Sequence, residues 1–262
     1  MTVRLPAGRP SLSSLGLQIG DKVRVHHLTL ELGHGHRASF GSAKIYSPGQ
    51  RPKLDLLEKD EIAANLQAMR SVVLGRGNMG GLGGLMALLL PGAEGPAAVK
   101  LNMFASAALF GMASLEQAFH SEDARLLGEA IRGLIGLGPG LTPSADDMLA
   151  GLVLMCMIYS KEAGHLRRAS ELVARTTVAE AHGRTTIISE EYLGQAALGR
   201  GNERALRLCE ALLTGGRESV ARETKRVLAI GATSGTDTVL GISLGLMFCT
   251  GGRSGLARRD SG

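Results

Sequence analysis

The stretch Gly136-Leu-Gly-Pro-Gly-Leu-Thr-Pro-Ser-Ala-Asp-Asp147 decides how the rest of the chain is interpreted. It is a glycine- and proline-rich loop that ends in hydroxyl and carboxyl side chains, and the apolar run Met148–Tyr159 follows at once. This run is too short to span a bilayer. It therefore predicts a buried helix whose first turn carries a cluster of polar groups.

The start of this helix has two possible assignments. Pro143 suits the first helical turn with Thr142 as its cap, or Ser144 is the cap and Asp147 lies three residues later. In either case the backbone N–H groups at the helix start can hold a carboxylate or a phosphate.

A second segment, Gly231-Ala-Thr-Ser-Gly-Thr-Asp237, leads into another apolar helix. At an offset of 90 positions, Ser144–Gly151 aligns with Ser234–Gly241, and both read Ser-x-x-Asp-x-apolar-x-Gly. Simple capping explains one such motif, but two copies that follow glycine-rich loops favour a ligand site. The final glycine of each copy predicts close packing of another backbone. We therefore expect residues 142–147 and 233–237 to converge on a shared cavity lined by amide hydrogens.

Away from these segments, the pattern predicts an α+β fold with a small β-rich N-terminal part and a larger helical C-terminal part. Lys22–Leu32 alternates with a phase shift that indicates a bulge at His26-His27, and Gly33–His36 resembles a hairpin connection to a returning strand at Ala38–Tyr46. Helical periodicity covers 53–73, 101–119, 122–135, 145–160, 165–182, 187–199, 202–213, 217–229 and 236–249. The expected divisions are 1–75 (β-rich with one helix), 76–100 (glycine-rich linker), 101–250 (helical domain) and 251–262 (disordered tail).

Composition excludes some classes of function. The net charge of +5 comes partly from tail arginines, aromatic residues make up 3%, and no dense basic stripe is present, so nucleic-acid binding is not expected. The three scattered cysteines indicate buried thiols in a reducing compartment. The N-terminus has no continuous apolar run typical of a secretory signal. We expect a soluble cytoplasmic protein that does not associate with membranes.

A third polar group, Thr185-Thr186-Ile-Ile-Ser189, can share one face at a helix start. Taken alone, it is typical of capping and packing. The three motifs GLGPGLTPSADD, TTIIS and GATSGTD, in this order, resemble the AllH-type subunit of oxamate carbamoyltransferase. One departure is Ala145, where the family pattern usually has glycine, and its methyl group is expected to narrow the pocket or alter the substrate.

This resemblance implies a role in allantoin-type purine catabolism, as one subunit of an enzyme that needs two other kinds of subunit. Such enzymes exchange a carbamoyl group between oxalurate and phosphate, giving oxamate and carbamoyl phosphate. We expect preorganised donors to matter more than a covalent nucleophile. The candidate catalytic residues are Asp147, Asp237, Thr142, Ser144 and Ser234, and the candidate substrate- and anion-binding residues are Gly138, Gly140, Thr233, Gly235, Thr185, Thr186 and Ser189.

Two carboxylates near an anion site would repel the anion. Either they point away as caps, or a cation or an amide group lies between them. An alternative function is a non-catalytic metabolite-binding or assembly subunit, whose helices rich in Ala, Gly and Met support catalytic partners.

Weaker signals do not change this interpretation. No cofactor or metal is predicted, although Asp146-Asp147 can hold Mg²⁺ through water and His34 with His36 can share one face of a hairpin. The lone G-x-G-x-x-G match at 75–80 lacks a βαβ context, so the Gly75–Gly84 segment is either a linker or a loop whose amides approach a ligand or partner.

Overall fold

Three short strands lie in the first of two compact units, Met1–Arg51 and Pro52–Gly262. The computed structural model describes residues 15–42, 53–89 and 100–252. Strands β1 (Arg24–His26), β2 (Thr29–Glu31) and β3 (Arg37–Ser39) form an antiparallel sheet in the order β1-β2-β3. The predicted hairpin between β2 and β3 is confirmed, since a 3-10 turn at Gly33–Gly35 joins them.

The predicted single strand over Lys22–Leu32 is wrong. Val25 pairs with Leu30 and His26 pairs with Thr29, so the phase shift marks a tight turn between two strands. His27 lies in this turn with a φ of 46°, in the left-handed region. A bulge and a tight turn both shift the alternation of side chains, which is why the sequence pattern alone misassigned this position. The expected strand residues 43–46 lie outside the described residues.

The second unit is helical, and the predicted α+β class with a larger helical part is confirmed. Its helices within the described residues are α1 (Lys59–Arg76), α2 (Met86–Leu89), α3 (Met103–Ser121), α4 (Ala124–Leu134), α5 (Ser144–Tyr159), α6 (Arg167–Ala181), α7 (Ile187–Ala197), α8 (Glu203–Thr214), α9 (Arg217–Leu228) and α10 (Ser234–Thr250). Helix α1 lies in this unit and packs on α9, whereas the sequence pattern grouped it with the N-terminal strands. The proposed tail beyond residue 252 lies outside the described residues.

Helices α5 and α10 form the centre of the helical unit. Both are buried along almost their whole length, which explains why neither shows a polar face. Gly151 lies against Thr238 and Ile242, while Gly241 lies against Met148 and Leu152, so each backbone contacts the other directly. The predicted close packing at both glycines is therefore confirmed.

The two helices run in the same direction, because the next glycine along α10, Gly245, lies against Leu152 and Met155, further along α5. Their N-termini consequently lie at the same end. Cys156, Cys209 and Cys249 are buried free thiols. In the part of the chain that the structure describes, no helix combines the length and apolar character needed to cross a membrane.

Candidate functional site

The two Ser-x-x-Asp segments meet at the shared end of α5 and α10. The Thr142 hydroxyl lies 3.2 Å from that of Ser234, and the Ser144 hydroxyl lies 3.5 Å from that of Thr233. These contacts confirm that residues 142–147 and 233–237 converge, whereas the shared cavity lined by amide hydrogens stays a prediction. The two chain segments lie 89 or more positions apart, so the parallel packing of α5 and α10 is what brings them together.

No side chain of either segment caps its helix, which corrects the two assignments predicted for α5. Pro143 is the N-cap of α5 and Thr233 that of α10, and neither helix has a side-chain hydrogen bond at its cap. The Thr142 hydroxyl donates instead to the Asp147 carboxylate, at 3.0 Å from Oδ2. The hydroxyls thus point toward the junction of the two helices. Simple capping, the alternative to a ligand site, does not account for this arrangement.

Asp147 lies in the first turn of α5 and is 7% exposed. Burial raises the pKa of Asp147 to about 6, although hydrogen bonds from the Ser234 and Thr142 hydroxyls act in the opposite direction. The neighbouring carboxylates of Asp237 and Asp146 raise this pKa further. Asp147 is therefore a carboxyl group that can exchange a proton close to neutral pH.

Asp237 lies at the corresponding position of α10 and is fully buried. Its Oδ1 accepts a hydrogen bond from the Leu82 amide at 2.7 Å, whereas its Oδ2 has no hydrogen-bond partner of good geometry. Burial raises the pKa of Asp237 to about 6, while the nearby Ser144 hydroxyl and the Leu82 amide lower it. An acceptor oxygen buried in this way is unfavourable unless a donor reaches it.

The serines act across the two copies. Ser234 of the second copy acts on the pKa of Asp147, and Ser144 of the first copy acts on that of Asp237. The pairing is reciprocal, so the repeated motif produces a site with approximate twofold symmetry. The hydroxyl pairs Thr142–Ser234 and Ser144–Thr233 join the two halves of the site directly.

Asp146 has a different role from the adjacent Asp147. Its Oδ1 accepts from the Gly136 amide at 2.8 Å, and its Oδ2 accepts a hydrogen bond from the Thr185 hydroxyl. These contacts anchor the glycine-rich loop to the start of α5. Asp146 is thus a positioning group for the loop, and both of its oxygens already have partners.

The TTIIS segment packs on the first loop. Thr186 is the N-cap of α7, where its hydroxyl accepts from the Ser189 amide at 3.2 Å and donates to the Leu141 carbonyl at 2.8 Å. The Ser189 hydroxyl is buried without a hydrogen-bond partner. Of Thr185, Thr186 and Ser189, Thr185 is the residue whose hydroxyl donates a hydrogen bond to a carboxylate of the site, that of Asp146.

The Gly235 amide is not available to an anion, which corrects its predicted role. The Gly235 amide already donates to the Ile230 carbonyl at 2.9 Å, and a side chain at this position would overlap the Val227 carbonyl, so Gly235 serves the packing of α10 on α9. Gly138 and Gly140 have φ values of 120° and 99°, which turn the loop toward Ser144. The Ala145 amide donates to the Leu137 carbonyl, which removes another donor from the helix start.

One element of the site was not found from the sequence. The segment Asn78–Leu82, which we call the strap, crosses the start of α10. The Asn78 amide donates to the Thr236 hydroxyl at 3.0 Å, and Gly81 lies so close to the Asp237 and Ser144 side chains that a Cβ atom there would overlap both. The glycine-rich composition and the G-x-G-x-x-G match of this region left open a linker or a loop whose amides approach a ligand or partner, but they did not indicate where the loop lies.

The G-x-G-x-x-G match at 75–80 does not follow a strand. Val72–Leu74, which would have to be a strand in a dinucleotide-binding unit, belongs to helix α1. His34 lies 3.6 Å from Asp21 in the N-terminal unit. Among the described residues, no group of three or more His, Cys, Asp or Glu side chains is arranged to hold a metal ion.

Fold and site together define a helical protein with a two-carboxylate centre at the common end of two parallel buried helices. Residues 134–246 match the family model described as oxamate carbamoyltransferase subunit AllH. The match contains both Ser-x-x-Asp copies and the TTIIS segment, and it confirms the resemblance drawn from the three motifs. No solved structure matches the chain.

Proposed function

We propose that this chain is the subunit that supplies Asp147 and Asp237 to a carbamoyltransferase acting on oxalurate, oxamate or a similar small carboxylated amide, with phosphate as the second substrate. One observation carries the proposal: the two repeated motifs meet through the Thr142–Ser234 and Ser144–Thr233 hydroxyl pairs, and each motif brings a buried carboxyl group to this shared helix start. The family match supplies the reaction class. Other enzyme subunits are the expected partners.

The reaction requires a proton to change place. A phosphate oxygen attacks the carbamoyl carbon, a C–O bond forms, and the C–N bond to the oxamate nitrogen breaks. The hydrogen phosphate ion loses one proton and the leaving nitrogen gains one, so atoms and charge balance without any further reactant. A carboxyl group with a pKa of about 6, such as that of Asp147 or Asp237, is suited to carry this proton.

The carboxylates also suit the amide part of the substrate better than its anionic part. With capping excluded, an N–H donor placed at Asp237 Oδ2 would satisfy its missing hydrogen bond. The carbamoyl NH₂ group is such a donor. The hydroxyls of Thr142, Ser144 and Ser234 can then bond to substrate oxygens, and we expect the anionic groups to lie toward the loop at Gly138 and Gly140.

The test uses Asp147→Asn and Asp237→Asn in a complex reconstituted with the other subunits, with phosphate-dependent cleavage of oxalurate as the measurement. We expect kcat/KM to fall about 100-fold or more in each variant, the usual size of a lost acid or base. Asp123→Asn is the matched control, because Asp123 caps α4 and asparagine caps equally well. It should retain wild-type activity.

An assembly role for the subunit is the second candidate, and the surface of α3 favours it. Met103 and Phe110 lie on one face of this helix and are 76% and 83% exposed. Such side chains are typical of a surface that another subunit covers. If the Asp147→Asn and Asp237→Asn complexes assemble normally and keep full turnover, the catalytic proposal is wrong and the assembly role remains.

A further inference from the structure

The strap Asn78–Leu82 is the nearest cover over the buried carboxyl group of Asp237. Asn78, Met79 and Gly80 are exposed, whereas Gly81 and Leu82 are buried beneath them against α10. Ser144 and Asp237 have no exposed surface at all. A ligand can therefore reach Asp237 Oδ2 only if a covering segment moves, and the strap is the segment that contacts it.

Hydrogen bonds fix the strap on two sides, and the strap is the donor on one side and the acceptor on the other. Toward α10, the amides of Asn78 and Leu82 donate to the Thr236 hydroxyl and to Asp237 Oδ1. Toward α3, the strap carbonyls of Met79 and Gly81 both accept from the side-chain amide of Asn102, each at 2.7 Å.

Asn102 combines this clamp with a second task. Its Oδ1 accepts from the Ala105 amide at 2.9 Å and so caps α3, while its Nδ2 donates both hydrogen bonds to the strap. The cap fixes the side chain, and the fixed side chain holds both carbonyls. One residue thus ties the strap to the N-terminus of a long helix.

We propose that Asn102 is a positioning residue of the site: it holds the strap so that the Leu82 amide reaches Asp237, and release of this clamp admits the N–H donor of the substrate to the second carboxylate oxygen. The inference rests on the proposed function for its substrate. Asn102 and the strap both lie outside the segment that matches the family model.

Capping and clamping can be separated by substitution. Asn102→Asp retains an oxygen that caps α3, but it has no N–H to donate and places a charge beside two carbonyls. Asn102→Ser also caps α3, and its hydroxyl is too short to replace both donations. Asn202→Asp is the matched control, because Asn202 caps α8 through the Arg204 amide.

The first measurement is hydrogen exchange at the Gly81 and Leu82 amides in the full chain. The loss of two hydrogen bonds should raise the exchange rate at Leu82 about tenfold in Asn102→Asp and in Asn102→Ser. Exchange at Ala105 should change by less than threefold, since the cap remains, and Asn202→Asp should leave Leu82 at its wild-type rate. Unchanged Leu82 exchange in both Asn102 variants would overturn the clamp.

The second measurement is oxalurate cleavage in the reconstituted complex. We expect Asn102→Asp to raise KM about tenfold with a smaller change in kcat, because an unclamped strap no longer holds the Leu82 amide and Asp237 in the alignment that binds the substrate. Faster Leu82 exchange with wild-type KM and kcat would overturn the positioning role. A wild-type complex without turnover would contradict the proposed function instead. Whether Asn102 clamps the strap would then be tested by hydrogen exchange alone.

Discussion

Asp147 and Asp237 occupy equivalent positions of a repeated motif but are held by different neighbours. Asp147 accepts a hydrogen bond from the Thr142 hydroxyl of its own loop, whereas Asp237 accepts one from the Leu82 amide of the strap. The pKa of each is raised to about 6, with burial as the largest cause. The motif therefore determines the helix start and the carboxyl position, and the covering segment determines access.

The residue before each aspartate extends this contrast. Asp146 binds the Gly136 amide and the Thr185 hydroxyl, while Thr236 accepts from the Asn78 amide. The first copy is thus tied to the 136–142 loop and to the start of α7, and the second copy is tied to the strap. Equivalent positions of the two copies thus bind different chain segments. The two carboxyl groups are related by approximate symmetry, but the segments that cover them are not.

The position after each serine differs for a packing reason. Ala145 is buried at the start of α5, whereas Gly235 lies against the Val227 carbonyl, where a methyl group would overlap. An alanine is therefore accommodated in the first copy and excluded from the second. The expectation that Ala145 narrows the pocket or alters the substrate stays a prediction.

The largest effect is expected where the two copies touch. Gly241→Ala places a Cβ atom on the Met148 carbonyl, so α5 and α10 must separate, and we expect a loss of about 3 kcal/mol in the free energy of unfolding. Gly194→Ala is the matched control, because nothing lies within 4 Å of that position inside α7. It should stabilise the protein by about 0.5 to 1 kcal/mol in urea titrations. Equal effects of both variants would contradict the close packing of the helices.

The next effect concerns the charge on the two carboxyl groups. Because each pKa is raised in the folded state, the folded protein binds more protons between about pH 4 and pH 6, and the contribution of these groups to stability falls as the pH rises through that window. Above pH 6 both are ionised while buried. Asparagine is neutral at every pH, and its oxygen can still accept from Leu82.

Asp237→Asn should therefore be more stable than the wild type at pH 8, by on the order of 2 kcal/mol, with the difference disappearing near pH 4. Asp147→Asn should show the same sign. Chemical denaturation at the two pH values measures both, and Asp123→Asn serves as the control for general charge effects. A wild type that is more stable than Asp237→Asn at pH 8 would show that the carboxylate is satisfied by a partner.

Much of the fold could be predicted from local signals. The predicted helix 145–160 corresponds to Ser144–Tyr159, and 236–249 corresponds to Ser234–Thr250, because Gly and Pro residues mark the ends of strongly apolar runs. The turn at His27 was missed because a tight turn and a bulge give the same shift in alternation.

The meeting of the two serine-aspartate segments was also predictable, since an internal repeat with glycines at matching positions implies that two similar helices pack together. The strap was not predictable in this way. Its hydrogen bonds to α10 join residues more than 150 positions apart, between Asn78 and Thr236 and between Leu82 and Asp237, and their donors are backbone amides, which every residue except proline possesses. Side-chain composition carries no information about such contacts.

The smallest effect is expected at the start of α7, which is hydrogen-bonded to the loop of the first copy. Thr186→Ala removes the cap of α7 and the hydrogen bond to the Leu141 carbonyl, which should lower the free energy of unfolding by about 1 kcal/mol. Thr186→Ser keeps a hydroxyl and should recover most of this loss. Thr214→Ala is the control, since the exposed Thr214 hydroxyl donates only to the Glu210 carbonyl of its own helix, and its loss should change stability by less than about 0.5 kcal/mol. Because Thr186 lies on the Asp147 side, hydrogen exchange should quicken at Ser189 and remain unchanged at Leu82. Faster exchange at both amides would instead show that the first loop and the strap open together, so that the two covering segments move as one unit.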